Sequence, residues 1–246
     1  MVLNLEVYRY DPGTTEERTD RFIVEVGERT TVLDALVQVQ AEADPTLAFR
    51  YACRVGMCGS CAMVVNGRER WTCRTLLSRL GGDRVSIRPL YHFPLVRDLV
   101  VDMAPLTERM TALGAAFVPS DDGEGFARIS PAAPERSDID SSIECIGCGA
   151  CLSACSLVGS APGFLGPAPL LRAFTLVRDS RDGARDARLL RLLGEDGIYR
   201  CHTHFDCVEV CPMGLAPTAG ILALKRLALR PRARSRPPGR TGSTSR

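Results

Sequence analysis

No apolar run in the chain approaches the roughly 20 residues that a membrane-spanning helix needs. Work at a membrane would therefore require a partner to hold the chain there. The opening Met1-Val2-Leu3-Asn4-Leu5-Glu6 also lacks the apolar core of a secretory leader, because Asn4 and Glu6 interrupt it. The expected compartment is thus reducing, and disulfides are scarce in such compartments. Aromatic residues are few, at 6%. Neither sign of charge dominates, since the net charge is +2, and no repeat is present at solenoid periods.

What the chain does have is room for one large or two ordinary domains in 246 residues. A hydrophobic share of 45% and a charged share of 24% suit a globular core. Eleven cysteines are an odd number, so complete pairing within the chain is excluded. In a reducing compartment, cysteines at this density bind metal or do redox chemistry. Six arginines and no acid lie in 230–246 (Arg230, Arg232, Arg234, Arg236, Arg240 and Arg246), and the rest of the chain is net acidic. With Ala233 its only apolar residue, this segment reads as a solvated, disordered tail. The alternative is contact with anionic lipid headgroups, at about 1 kcal/mol per basic residue near the surface.

Leu3, Leu5 and Val7 alternate with polar neighbours, which predicts a strand over 2–10. Phe22–Val26 reads as a second strand, with Gly27-Glu28 closing the hairpin. Thr31 and Asp34 form a capping-box pattern ahead of a helix over 32–43. Asn66-Gly67 predicts a tight turn between strands at 62–65 and 70–72, and 84–88 alternates again. Beyond Leu99 the expected elements are helical: 105–115, the region of Cys145–Cys155, 167–179, 184–194 and 217–229. Pro167 and Pro217 suit first-turn positions. Residues 118–138 read as a loop. The domains are then 1–104 and 105–229, followed by the tail 230–246.

The first cysteine group is Cys53, Cys58 and Cys61, with Cys73 eleven residues further on. Its spacing matches a plant-type ferredoxin, whose [2Fe–2S] rhomb takes two thiolates on each iron. Gly56 and Gly59 let the backbone curl and aim N–H groups at the cluster. A zinc site or free structural thiols are the competing readings. Zinc usually takes two Cys-x2–4-Cys knuckles from separate hairpins, whereas here three cysteines fall within nine residues and Cys73 arrives singly after a hairpin. Arg54 and Arg74 flank these cysteines as tuning or surface charges.

The second group, Cys145, Cys148, Cys151 and Cys155, has bacterial-ferredoxin spacing, with Ser156 where that run has proline. The same spacing returns at Cys201, His204, Cys207 and Cys211, followed by Pro212. In two-cluster ferredoxins the fourth cysteine of each run serves the other cluster. One cluster then receives Cys145, Cys148, Cys151 and Cys211, as a [4Fe–4S] centre. The other receives Cys155, Cys201 and Cys207, and three ligands favour [3Fe–4S]. All eleven cysteines are used. The alternative is that His204 holds a fourth iron, since imidazole also ligates iron.

These residues together resemble the iron–sulfur subunit of succinate dehydrogenases and fumarate reductases, over most of 2–229. The marks are Tyr51–Cys61, Arg97–Asp102, Cys145–Cys151, Gly166-Pro167, Asp179–Asp182, Arg200–His202 and Cys207 through Pro212. The resemblance implies an α+β chain: an N-terminal β-grasp domain like plant-type [2Fe–2S] ferredoxins, then an all-α helical ferredoxin domain. It implies electron relay between a flavoprotein subunit carrying FAD and quinone at a membrane anchor, and no nucleic-acid partner. It places the chain on the cytoplasmic face of the cell membrane, held peripherally by the anchor. His202 matches the family's Cys-His pair and is expected on the quinone side, where it would help to position or protonate quinone. The chain departs from the pattern at Ser156–Ser160, where family members carry proline and then tryptophans. His92 matches no family mark and is expected to be structural. With no flavin motif, the chain is an enzyme subunit and does no substrate chemistry alone. The alternatives are a fumarate reductase subunit with a non-quinone donor, and a zinc-binding interaction module.

Overall fold

The alternation of Leu3, Leu5 and Val7 does build a strand, because each of them is at most 1% exposed. The computed structural model describes residues 2–120, 126 and 128–229. Strand β1 (Val2–Asp11) pairs antiparallel with β2 (Glu16–Glu25). Helix α1 (Val32–Glu42) follows, its capping box closed by Asp34 N–H to Thr31 Oγ1 at 3.1 Å and Thr31 N–H to Asp34 Oδ2 at 3.0 Å. Strands β3 (Ala62–Val65) and β4 (Arg68–Trp71) flank Asn66-Gly67, both left-handed at φ 49° and 73°, as the tight turn demands. Strand β5 (Arg84–Arg88) completes a five-stranded sheet of order β2-β1-β5-β3-β4, in which only the β1–β5 pair is parallel. Helix α1 lays Val32, Ala35, Leu36 and Val39 against Leu5, Met63, Val85 and Ile87 to close the first core.

The second strand differs from expectation. It starts six residues before Phe22, and the hairpin turns at Pro12–Thr15 rather than at Gly27-Glu28. Its charged half, Glu16–Arg21, hides the strand pattern because β2 is a sheet edge whose side chains are largely solvated. The turn is held by Thr15 N–H to Asp11 O at 2.8 Å and Gly13 N–H to Asp11 Oδ1 at 2.8 Å.

A small hairpin, β6 (Leu95–Arg97) and β7 (Val100–Val101), leads out of this half. At its turn Asp98 is buried and receives Arg9 Nε–H at 3.0 Å, Tyr10 N–H at 3.1 Å and Ala48 N–H at 2.8 Å. The Arg97–Asp102 motif thus anchors the connection to the first core.

From Ala104 onward the named elements are helices: α2 (Ala104–Leu113), α3 (Pro134–Ile139), α4 (Ala150–Ser153), α5 (Ser156–Ser160), α6 (Pro167–Arg178), α7 (Arg185–Leu192), α8 (Asp206–Glu209) and α9 (Pro217–Ala228). Helix α3 corrects the expected loop, since Pro134 opens a turn that buries Ile139. The helix expected around Cys145–Cys155 is only α4, because left-handed Gly147 and Gly149 keep the chain non-helical up to it. Helices α6 and α9 pack closely where Gly220 faces Leu171 and Phe174. The second core is shared by both halves: Ala62, Leu90 and Phe93 join Leu106, Leu152, Phe164 and Leu170. The arginine-rich segment 230–246 lies outside the described residues.

Candidate metal centres

The loop between α1 and β3 carries Cys53, Cys58 and Cys61, and the 3-10 turn after β4 brings Cys73 back beside them. Gly56 and Gly59 are left-handed, at φ 77° and 71°, so the loop curls around its own thiols. Cys61 and Cys73 are buried against Leu33 of α1, while Cys53 and Cys58 are half-buried. Met57 and Cys58 direct backbone N–H groups at Cys53 Sγ, at 3.3 and 3.4 Å. Burial, and then the neighbouring Cys61 thiol, push Cys73 up to about 11, against the Gly56 N–H. Cys58 goes the other way, to about 6, chiefly through the Ser60 hydroxyl. Arg54 places its guanidinium over the Tyr51 ring, 5.0 Å from the centroid.

The seven remaining cysteines separate into two recesses. One, with about 390 Å³ of atom-free space, is lined by Cys145, Cys148, Cys151 and Cys211, under Ala168, Leu171, Leu215 and Pro217. The other, with about 330 Å³, is lined by Cys155, Cys201 and Cys207, with His204, Thr203, Phe205 and Pro167. Each run thus sends its last cysteine to the opposite recess. Short helices position the pieces: α4 carries Cys151 and delivers Cys155 at its end, while α8 carries Cys207 and delivers Cys211. Burial pushes Cys148 up to about 11 and Cys151 well above its ordinary value. Leu215 N–H reaches Cys211 Sγ at 3.4 Å, and Thr218 Oγ1 lies 3.2 Å from Cys207 Sγ.

Soft sulfur donors in largely apolar recesses suit iron–sulfur clusters, which thiolates hold. Among the described residues, no group of three or more His, Cys, Asp or Glu side chains is placed to hold a single metal ion. Each recess is a void lined by several cysteines, which suits a polynuclear cluster.

The first and second centres are neighbours. A Cβ on Gly59 would meet Cys148 Cβ at 2.6 Å. Beside this contact, the Trp71 ring would be 2.9 Å from a Cβ on Gly56. The buried Trp71 Nε1–H finds no well-formed hydrogen bond among the described residues, yet it faces the Cys148 thiol closely enough to favour the thiolate. A buried link crosses the halves nearby: Ser153 Oγ–H donates to Glu69 at 2.6 Å and accepts Tyr91 N–H at 2.8 Å. Sequence reasoning does not reach Trp71 or Thr218. The one available signal for Trp71 is a lone tryptophan two residues before a candidate ligand.

His202 is exposed and does not line the second recess; His204 does. The two imidazoles stack, with centroids 6.2 Å apart and planes at 22°. His92 packs its ring against Gly159 of α5, and loss of solvation lowers its pKa. Among the described residues no helix is long and apolar enough to cross a membrane.

Comparison with known proteins agrees with this geometry. Residues 4–108 match the family model of a 2Fe-2S iron-sulfur cluster binding domain, and residues 141–215 that of a 4Fe-4S dicluster domain. The succinate dehydrogenase iron-sulfur subunit of Paracoccus denitrificans is 38% identical over 232 residues, covering 92% of this chain and 88% of that protein. The fumarate reductase iron-sulfur subunit of Haemophilus influenzae is 33% identical over 232 residues, covering 89% and 90%. A chain of the solved Mycobacterium smegmatis Sdh1 complex in the apo form matches with a TM-score of 0.84 at 30% identity, covering 92% of this chain and 95% of that one.

Proposed function

The chain belongs to the iron–sulfur subunits of succinate dehydrogenases and fumarate reductases, and from that premise we propose that it relays electrons between the FAD of a flavoprotein subunit and membrane quinone. Cys53, Cys58, Cys61 and Cys73 hold a [2Fe–2S] cluster in a β-grasp domain, residues 1–104. Cys145, Cys148, Cys151 and Cys211 hold a [4Fe–4S] cluster, and Cys155, Cys201 and Cys207 a [3Fe–4S] cluster, in a helical ferredoxin domain, residues 105–229. The observation that carries this reading is the separation of the seven later cysteines into a recess of four and a recess of three.

Bound there, the clusters supply one-electron carriers. The chain's own residues bring them together, shield them and set their potentials. Gly59 against Cys148 shortens the gap between the first two centres. Leu171 and Leu215 keep water from the four-cysteine recess. Trp71, Thr218 and the backbone N–H groups of Met57 and Leu215 offer hydrogen bonds that favour the reduced, more negative cluster.

The chain works on the cytoplasmic face of the cell membrane, held by an anchor subunit. His202 helps to position or protonate quinone at the three-cysteine end. His202→Ala should slow quinone reduction while leaving succinate-dependent reduction of an artificial acceptor intact, and equal quinone rates would remove that role. Electron paramagnetic resonance of the purified complex tests the cluster set. One signal is expected in the oxidised sample, from the three-iron centre, with two more after strong reduction. Full iron content without an oxidised signal, in the intact complex and in His204→Ala alike, would overturn the assignment of three thiolates.

A further inference from the structure

The backbone around His204 repeats the backbone around Cys148. In the first run the residues on either side of Cys148 are left-handed, Gly147 at φ 64° and Gly149 at φ 83°. In the second run the residues on either side of His204 are left-handed as well, Thr203 at φ 65° and Phe205 at φ 71°. Glycine adopts this conformation freely, whereas a β-branched threonine and a bulky phenylalanine are strained in it. Each run then enters a four-residue helix at the same offset, Ala150–Ser153 and Asp206–Glu209. The position equivalent to a cluster-binding cysteine is thus held in the cysteine's geometry by residues ill-suited to it.

The side chain there is an imidazole, a competent iron ligand. It lines the recess that also holds Cys155, Cys201 and Cys207, with the ring of His202 stacked 6.2 Å away, centroid to centroid. Strain at a non-glycine position persists where the surrounding structure demands it, and such positions cluster at functional sites.

We propose that His204 is the ligand of a fourth metal ion at the open corner of the three-cysteine cluster, with ferrous iron as the ion that fits. This rests on the assignment of three thiolates to that cluster. Uptake is redox-neutral: the one-electron-reduced cluster, [3Fe–4S] in its neutral core state, gains a dication and becomes [4Fe–4S] with a core charge of two. A bond forms between an imidazole nitrogen of His204 and the iron, and the iron releases water from its hydration shell. Neutral imidazole gives up no proton. The reducing electron is the one the relay itself delivers.

The test uses the purified complex, reduced with dithionite without oxygen, incubated with isotopically labelled ferrous iron and freed of excess. Mössbauer spectroscopy reads the label, and electron paramagnetic resonance after mild anaerobic reoxidation reads the three-iron signal. The intact complex should retain one labelled iron in a cluster environment and lose the three-iron signal. His204→Ala should retain no label and keep that signal in full, while His204→Cys should take up the label again. The reduced signals of the other two clusters report that each variant has folded. A three-iron signal that persists without uptake in the intact complex, or equal uptake by His204→Ala, overturns the inference alone. Absence of any three-iron signal from both the intact complex and His204→Ala before iron is added removes the underlying assignment instead.

Discussion

Gly59, on the loop of the first cysteine group, touches Cys148 of the second group: a Cβ at Gly59 would lie 2.6 Å from Cys148 Cβ and 3.0 Å from its Cα. The contact joins two segments almost ninety residues apart, and neither partner has a flexible end with which to yield. It sets how closely the first two centres approach.

Replacing Gly59 by alanine is expected to cost more than the ~1–2 kcal/mol of a left-handed non-glycine residue, because the overlap with Cys148 adds to it. Gly67→Ala is the control, since Gly67 is also left-handed, at φ 73°, with nothing within 4 Å of an added Cβ. Thermal unfolding should rank Gly59→Ala well below Gly67→Ala. The [4Fe–4S] signal of the reduced complex should fall in Gly59→Ala alone. Equal melting temperatures would mean that the loops move apart freely.

Trp71→Phe keeps the ring against Gly56 and removes the indole N–H that faces Cys148. A hydrogen bond contributes about 1 kcal/mol. For a one-electron couple that corresponds to about 40 mV. A redox titration should find the [4Fe–4S] midpoint lowered by that order and the [2Fe–2S] midpoint unmoved. An unshifted [4Fe–4S] midpoint would reduce Trp71 to packing.

Asp182 and Arg188 form a buried ion pair at 2.9 Å, with side chains 0% and 3% exposed. Asp182 also accepts Val118 N–H at 3.1 Å and Ala184 N–H at 2.9 Å. The Asp179–Asp182 motif therefore fastens the segment after α2 onto α7. Arg188→Met leaves the carboxylate buried without its partner, and about 3–5 kcal/mol of stability should be lost. Chemical denaturation of the complex measures this; a loss below about 1 kcal/mol, the range of exposed pairs, would contradict the geometry.

Cluster retention should weaken as pH falls. Cys148 sits at about 11 and Cys151 well above its ordinary value, both chiefly through burial. A group whose pKa is raised holds its proton throughout the neutral range once released from iron, so protons compete with iron at every pH below that value. Iron binding releases those protons and is favoured as pH rises. Challenge with a ferrous chelator between about pH 6 and 8 should show faster loss of the [4Fe–4S] signal at the acid end. A flat profile would mean that thiol protonation plays no part in the loss.

Some features were legible because they are local. The Thr31–Asp34 box, the Asn66-Gly67 turn and the prolines opening α6 and α9 act through neighbours a few residues away. The charged half of β2 was not legible, because an edge strand needs no apolar alternation on its solvated face. Nor was the break between α4 and α5, where cysteines must leave helical geometry to reach two different recesses.

Cysteine spacing contains the division of the seven later cysteines into four and three, the crossing of the two runs and the histidine at 204, because residue order and loop length are properties of the chain itself. Proximity is not. That Gly59 meets Cys148, that Trp71 turns its N–H inward, that Thr218 lies beside Cys207 and that Thr203 and Phe205 accept left-handed backbone are outcomes of packing two cores together. Each depends on atoms brought close from distant segments, and no local pattern of residues encodes such an approach.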